Sequence, residues 1–568
     1  MADRSLRRPR VDLEFTLRRV FGKKSFRPLQ REVILAAVEG HDVYLQAATS
    51  FGKSLCFQLP AVVSHGVTVV VSPLLALVMD QVAALEAIGV AVATINSTTP
   101  LSERRAILED LLSGHPRIRL LYVTPELCQT ETFRRNLQTI HAQGELNRIA
   151  IDEAHCISEW GHDFRPAYKE LSWFKRTLKT VPISALTATA TPQVRADIIN
   201  LLGLNPATLK TFNTPSARPN IHYEVRYLTD FVSDPTVPEQ FQIDDLVSWL
   251  KSIKSRREAR LRSTAGTDGN QTNSTTASLP PMSGIIYVPL RSISETLANS
   301  LTASDESIYA VPYHAGLPAA DRARIQAMWT SAKPFPADDR PPPTFLIVVA
   351  TNAFGMGIDN PHVRFVVHWT PPRSFEGFVQ ESGRAGRDGR AAVSLVYYNT
   401  QERDRVFDRI QRDLEKAASE MANKGGGTNS SKFRSHLARL ESFQKVVKYC
   451  ETTTRCRHEI IREYSGDLEL EQMGSISSQP PRPHNNQGNR NGQDTTQATS
   501  PCDFACDFCK EGPEALAQRR AKMAAESSLD AFMDMDMVPA MRMMYPSAFR
   551  SESRSEAVAS GAQCHECP

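Results

Sequence analysis

Val43-Tyr44-Leu45-Gln46-Ala47-Ala48-Thr49-Ser50-Phe51-Gly52-Lys53-Ser54 runs from an apolar strand-like triplet, through small residues, into the apolar helix start Leu55-Cys56-Phe57. A strand, a loop closing on Gly-Lys-Ser and a helix together form a site for nucleotide phosphates. Backbone amides and the helix N-terminus cradle the anion. Lys53 would neutralise the terminal phosphates, and the Ser54 hydroxyl would hold Mg²⁺. Gly-Lys-Ser alone is a weak signal, so the rest of the chain must supply the partners of such a loop.

Two partners are present. Ile149-Ala150-Ile151 reads as a buried strand and ends at Asp152-Glu153-Ala154-His155. An acid at a strand's C-terminal end suits a Mg²⁺ ligand, and Glu153 beside it can orient and deprotonate an attacking water. Far downstream, Gln380-Glu381-Ser382-Gly383-Arg384-Ala385-Gly386-Arg387-Asp388-Gly389 sets two arginines three apart in a glycine-broken loop. Their planar, permanently charged forks match phosphate oxygens. Lys53, Glu153, Gln380, Arg384 and Arg387 are the candidate catalytic residues, with the arginines reaching a phosphate held in another domain.

Around these motifs, short apolar runs alternate with helical patterns, the signature of parallel strands buried on both faces. The runs are Val43 to Leu45, Val67 to Val71, Leu120 to Val123, Arg148 to Ile151 and Ile183 to Leu186. The pattern restarts after Pro219 with Ile221 to Tyr227, Gly284 to Val288, Phe345 to Ala350, Phe365 to Trp369 and Ala392 to Tyr397. We therefore expect two α/β lobes, residues 1–211 and 212–399, the second with a disordered insert at 256–282. A helical region at 400–512 follows, interrupted by a low-complexity insert at 472–501 and trailed by a disordered tail at 513–568 containing the Met-rich stretch 533–544.

The chain has 568 residues and a net charge of only +3, so composition alone does not announce a nucleic-acid binder. The charge is uneven: residues 1–31 hold ten Arg or Lys against three Asp or Glu. No apolar run is long enough to span a membrane, and no hydrophobic signal core follows the basic start, so an intracellular protein is expected. In that setting ten cysteines, seven of them at or after Cys450, point to metal ligands or inert thiols rather than disulfides.

The motifs in their order resemble those of RecQ-type superfamily 2 DNA helicases over residues 12 to 511. Phe26-Arg27-Pro28-Leu29-Gln30 resembles the adenine-recognition motif, which implies that Gln30 reads the base edge and Arg27 packs on it. Ser72-Pro73-Leu74 through Asp80-Gln81, and Thr124-Pro125-Glu126, are similar to the two motifs that contact one DNA strand. Thr187-Ala188-Thr189 matches the motif that couples hydrolysis to strand movement. His314-Ala315-Gly316-Leu317, and Ala350-Thr351 through Gly355-Met356-Gly357-Ile358-Asp359, match motifs of the second lobe. The stretch from Cys156 to Pro166, directly after Asp-Glu-Ala-His, is the sharpest match. Its Trp160 and Phe164 offer stacking faces worth about 1–3 kcal/mol per base, and Arg165 can meet a phosphate.

Cys456-Arg457-His458 on a helical pattern, then Cys502, Cys506 and Cys509 in C-x3-C-x2-C spacing, would make a closed four-thiolate zinc site. This set resembles the zinc subdomain of the type-five branch of the family. Cys564 and Cys567 form only half a site. The 58 residues after Lys510 are too few for a winged helix plus a terminal helical domain. The resemblance implies two tandem RecA-like parallel-sheet lobes and a helical zinc-binding subdomain. It also implies ATP, Mg²⁺ and Zn²⁺ as cofactors, single-stranded and branched or partly duplex DNA as partner, no membrane, a nuclear location, and 3′–5′ translocation in recombination, repair or replication. The site set it implies adds Gly52, Asp152, Gly357 and Asp359 for nucleotide and Mg²⁺, and Ser72, Thr124, Trp160, Phe164, Arg165, Thr187, Thr189 and Thr351 for DNA and coupling. Three residues depart from the pattern: Lys23 stands for an aromatic, Ser50 for a glycine, and Phe51 sits beside it. A left-handed backbone at Ser50 would cost about 1–2 kcal/mol. These departures support an alternative, a catalytically weakened nucleic-acid scaffold that keeps the fold.

Overall fold

Parallel strands make the frame, and every strand pairing recorded between them is parallel. In a computed structural model of the chain the described residues are 12–49, 51–160, 164–228, 240–265, 281–331, 343–354, 360–424, 428–467, 476–477 and 506–521. The strands are β1 Val43–Gln46, β2 Val67–Val71, β3 Val92–Ile95, β4 Leu120–Val123, β5 Leu146–Ile151, β6 Ile183–Thr187, β7 Lys210–Asn213, β8 Ile221–Tyr227, β9 Met282–Tyr287, β10 Ile308–Tyr313, β11 Phe345–Ala350, β12 Val363–His368, β13 Ala392–Tyr398 and β14 Ile476–Ser477. The first sheet runs β14-β7-β1-β6-β5-β2-β4-β3 and the second β10-β11-β9-β12-β13-β8.

That order places the chemistry. β1, β6 and β5 are neighbours, so the Gly-Lys-Ser loop, Thr187 and Asp152 all emerge from one edge of one sheet. Such a C-terminal strand edge is where open α/β sheets bind ligands. The strands themselves are Val-, Ile- and Leu-rich and buried on both faces, as at Val67–Val71 and Phe345–Ala350.

Four strands escape the sequence reading: β3, β7, β10 and the two-residue β14. β7 pairs with β1, so the first lobe runs through Asn213, past the expected boundary at 211. The helix Gln240–Ala265 extends into the expected insert at 256–282, whose residues 266–280 lie outside the described residues. The insert at 472–501 is described only at Ile476–Ser477, which pairs with β7. The expected tail begins instead as a helix, Pro513–Arg520, with Leu516 buried and Arg519 donating to the Val225 carbonyl of β8. The Met-rich stretch, Cys564 and Cys567 lie outside the described residues.

The helical region is not a separate body. Helices Thr400–Lys424 and Thr428–Glu451 form a hairpin, and helix Arg457–Tyr464 follows. Phe443, Tyr449, Cys456, Ile461 and Cys506 share one apolar core with Ile221, Tyr223, Phe375 and Phe378 of the second lobe. Cys456 does not lie inside a continuous helix: it is the N-cap residue of Arg457–Tyr464.

Candidate functional site

Gly52 has φ +86°, a left-handed backbone that glycine adopts without strain. A Cβ there would come within 2.6 Å of the Gln30 amide nitrogen. Gln30 Nε2 donates to the carbonyls of Phe51 at 2.7 Å and Gly52 at 3.4 Å, while its Oε1 accepts from the Arg27 amide at 2.8 Å. Gln30 therefore braces the phosphate loop, and its side chain is occupied there rather than presented to a base. Arg27 is exposed above it. Phe51 packs against the lobe's apolar core. Ser50 lies outside the described residues; the left-handed backbone of this loop among the described residues is at Gly52.

Lys53 is half-buried and donates to the Ala47 carbonyl at 3.1 Å. Burial pulls its pKa down, the carboxylates of Glu153 and Asp152 oppose that, and Arg387 adds to it. Asp152 is pushed up to about 7, first by burial and then by Glu153. Two buried acids side by side oppose each other's charge and favour a cation between them, while Lys53 offsets part of that repulsion. Ser54 stands at the N-terminus of helix Leu55–Val63.

Glu153 is one of two non-glycine residues with positive φ among the described residues, at +47°. Such strain costs on the order of 1–3 kcal/mol and collects at functional sites. Its Oε2 has no hydrogen-bond partner and lies 3.3 Å from His155 Nδ1. The same His155 nitrogen contacts Thr187 Oγ1 at 3.0 Å, and Thr187 Oγ1 donates to the Thr189 carbonyl at 3.0 Å. The general-base candidate and the coupling motif are thus two contacts apart, through His155. The buried hydroxyls of Ser72 and Thr189 have no hydrogen-bond partner among the described residues. Thr124 caps the turn at Leu127, and Thr351 follows β11, its amide bonded to the Tyr313 carbonyl at 3.2 Å. Gly357 and Asp359 lie outside the described residues.

The arginine loop comes from the second lobe and lies against the first. A Cβ on Gly383 would sit 3.4 Å from Thr49 Oγ1 of the phosphate loop. Both arginines act on Tyr287 at the end of β9, where Arg384 is buried, and Arg387 is also felt by Lys53. Gln380 lies on helix Phe375–Ser382 in the wall of the same cavity as Arg384.

The sequence reading missed what holds this loop. Arg218, in the connection between lobes, donates to the carbonyls of Gly383 at 3.2 Å, Ala385 at 3.4 Å, and Gly386. Asn220 donates to Gly386 at 3.0 Å and Arg390 at 2.8 Å. Burial drives the Arg218 pKa down to about 10, with Arg387 and Arg27 adding to the fall, so three guanidiniums converge near the cleft. The available signal was Arg218-Pro219-Asn220, a proline-fixed turn starting the second lobe. His458 Nε2 in turn donates to the Arg218 carbonyl at 3.2 Å. Glu376 completes the support, accepting from Ser442 and Tyr464 of the helical region.

Trp160 is half-buried and packs against the apolar cores of both lobes, so in this arrangement its ring is a contact between lobes rather than an open stacking face. Glu159 before it pairs with Arg434 of helix Thr428–Glu451 at 2.5 Å and with Lys169. Phe164 lies under Lys169, 5.4 Å from the ring centre. Arg165 donates to the Pro73 carbonyl at 2.7 Å, joining this loop to the Ser72 motif.

Cys456, Cys506 and Cys509 bring their sulfurs within 4.8 Å of one another, and Cys506 and Cys456 are 3.8 Å apart. Tetrahedral Zn–S bonds of about 2.3 Å place sulfurs about 3.8 Å apart, so the trio fits zinc; Cys502 lies outside the described residues. Arg457 and Asp507, both fully buried, pair at 2.9 Å between these ligands.

Residues 27–198 match the family model of the DEAD/DEAH box helicase, and residues 277–389 that of the helicase conserved C-terminal domain. The chain is 38% identical to ATP-dependent DNA helicase Q5 of Rattus norvegicus, over 80% of this chain and 42% of the relative. It is 36% identical to ATP-dependent helicase SGS1 of Saccharomyces cerevisiae, over 79% and 27%, and 33% identical to ATP-dependent DNA helicase Q-like 2 of Arabidopsis thaliana, over 79% and 54%. The chain thus spans between about a quarter and about half the length of these relatives. Among solved structures, DUF1998 helicase MrfA bound to DNA and AMPPNP superposes with a TM-score of 0.51, covering 83% of this chain and 61% of that one at 15% identity.

Proposed function

Because the chain belongs to the RecQ-type helicases, carrying both helicase domains in order, we propose that it is an ATP- and Mg²⁺-dependent 3′–5′ DNA translocase and helicase of nuclear recombination, repair or replication. The observation that carries the reading is that Gly383 of the arginine loop lies against Thr49 of the phosphate loop, with the charges of Glu153, Asp152 and, from the opposite lobe, Arg387 all acting on Lys53. Lys53 and the loop amides hold the nucleotide's terminal phosphates. Ser54 and Asp152 would supply oxygen ligands for Mg²⁺. Glu153 aligns water on the terminal phosphorus and takes its proton, while Arg387 neutralises the charge that grows on the departing phosphate oxygens. Those oxygens lie between lobes, so their release removes what holds Arg387 to Lys53 and the lobes separate. The His155–Thr187–Thr189 contacts carry that change toward the strand-binding motifs. Cys456, Cys506, Cys509 and Cys502 would hold Zn²⁺, which supplies cross-linking rather than reaction chemistry.

Lys53→Ala tests this directly. DNA-stimulated ATP hydrolysis should fall to background with DNA binding retained; a variant as active as the unaltered chain would sink the reading. The scaffold alternative draws on the occupied Gln30 amide, and it is chosen if the unaltered chain binds DNA yet hydrolyses no ATP above background.

A further inference from the structure

Seven residues, Thr214 to Asn220, join β7 to β8. They connect the two halves of the hydrolytic site directly. At one end the Thr214 hydroxyl accepts from the Ala48 amide of the phosphate loop at 3.1 Å. At the other, Arg218 and Asn220 hold the arginine loop. The middle is held from the helical region. Asp467, fully buried, accepts from the Ser216 amide at 2.8 Å and from the Ser216 hydroxyl at 3.0 Å, so both of its carboxylate oxygens meet one residue.

Asp467 ends a turn, Ser465-Gly466-Asp467, that follows helix Arg457–Tyr464. Gly466 has φ +63°, and a Cβ there would come within 2.8 Å of Pro192 Cγ. Glycine therefore lets the turn press on the start of helix Pro192–Leu201. The Ser465 carbonyl accepts from Gln46 Nε2 at 2.9 Å, and the same nitrogen donates to the Ala190 carbonyl at 3.1 Å. Gln46 ends β1, just before the phosphate loop, and Ala190 directly follows the Thr187-Ala188-Thr189 motif. Three residues thus touch the strand feeding the phosphate loop, the segment after the coupling motif and the connection between lobes. The helices before this turn share the second lobe's apolar core, so the turn is that body's foothold in the first lobe. A carboxylate bonded to an amide and a hydroxyl makes charge-assisted contacts, stronger than neutral ones.

We propose that Asp467 is a positioning residue for hydrolysis: it fixes the connection at Ser216 and thereby, through Arg218 two residues on, fixes where Arg387 meets the terminal phosphate. The inference rests on the helicase reading. Closing the lobes brings Arg387 to the phosphate, and the connection has to deliver Arg218 to the same place in every cycle. Released at Ser216, the chain between Thr214 and Arg218 samples other conformers. Each of them shifts the guanidinium that holds the carbonyls of Gly383, Ala385 and Gly386. Lys53 is held by Ala47 within the first lobe, so the effect falls on turnover rather than on nucleotide affinity.

The test uses the full chain with Asp467→Asn, which keeps the side chain's shape, and with Ser216→Ala, which removes only the hydroxyl. Asp467→Asn should lower kcat for DNA-stimulated ATP hydrolysis about tenfold, equivalent to about 1.4 kcal/mol, with KM for ATP unchanged. Ser216→Ala should act in the same direction and less. In an Arg218→Ala background the Asp467→Asn loss should vanish. Hydrogen–deuterium exchange reads the geometry without turnover: Asp467→Asn should speed exchange at 214–220 and 383–389 and leave helix Leu55–Val63 as it was. Exchange that rises throughout the chain, or only around residue 467, overturns the proposal. So does a change in KM alone, or a kcat loss that persists without Arg218. An unaltered chain with no ATP hydrolysis above background discards the helicase reading but leaves the contact testable: faster exchange at 383–389 still ties Asp467 to the arginine loop, and unchanged exchange there breaks that tie.

Discussion

The phosphate loop and the arginine loop face each other, yet they are held in different ways. The phosphate loop is braced from inside its own lobe, by Gln30 and by the Lys53 bond to Ala47. The arginine loop is braced from outside: Arg218 and Asn220 reach it from the connection between lobes, and His458 and Tyr464 support that frame from the helical region. The turn after helix Arg457–Tyr464 also touches the first lobe, where Ser465 accepts from Gln46 at 2.9 Å, and the connection between lobes, where Asp467 accepts from the Ser216 amide at 2.8 Å. One half of the site is therefore prebuilt, and the other depends on a third part of the chain. Damage near the cysteine cluster should reach hydrolysis through Arg387 without passing through Lys53.

The largest effect separates the two arginines. Arg387→Ala should lower kcat for DNA-stimulated hydrolysis by about 10³-fold or more, the scale of an arginine finger, with KM for ATP little changed. Arg384→Ala, buried beside Tyr287, should cost far less in DNA-independent hydrolysis. Steady-state kinetics without DNA decide the matter: equal losses would erase the separation.

Arg218→Ala comes next. Truncation strips donors from three carbonyls of the arginine loop, and a buried acceptor left unmet costs about 1–3 kcal/mol. Taking about 2 kcal/mol, kcat should fall about 30-fold. Because Arg218 acts through Arg387, the loss should largely vanish in an Arg387→Ala background, which a double-mutant cycle measures. Additive losses would show that Arg218 acts on nucleotide directly or through stability.

The strands that the sequence hid show where pattern reading fails. β3 and β10 end their sheets, and β7 is covered only by the two-residue β14. Edge strands need not be apolar on both faces, so β7 reads Lys-Thr-Phe-Asn and half of β3 is partly exposed. β10 carries Pro312, tolerated at an edge where one side has no strand to bond. Central strands were legible because burial on both faces forces continuous Val, Ile and Leu. The site divides in the same manner. Lys53, Asp152, Glu153 and Arg387 stand in motifs whose residue types dictate their chemistry. Arg218 was illegible because its partners are backbone carbonyls, which leave no mark in sequence, and Trp160 looked like a stacking face because an isolated aromatic does not reveal the second lobe pressed on it.

The smallest effect probes rigidity with a single methyl group. Gly52 and Gly386 both have positive φ, +86° and +59°, so alanine is strained at each by about 1 kcal/mol. Their surroundings differ. The added Cβ at Gly52 meets the end of one flexible side chain, the Gln30 amide at 2.6 Å. At Gly386 it meets the Asn220 amide at 2.5 Å and also the Arg390 backbone carbonyl at 2.7 Å, which cannot swing aside. Gly52→Ala should therefore raise KM for ATP about five- to tenfold as Gln30 gives way, leaving kcat nearly intact. Gly386→Ala should instead lower kcat, because the loop carrying Arg387 has to move. If both substitutions act on KM alone, the arginine loop is as self-contained as the phosphate loop, and the contrast between an internally braced cradle and an externally braced finger fails.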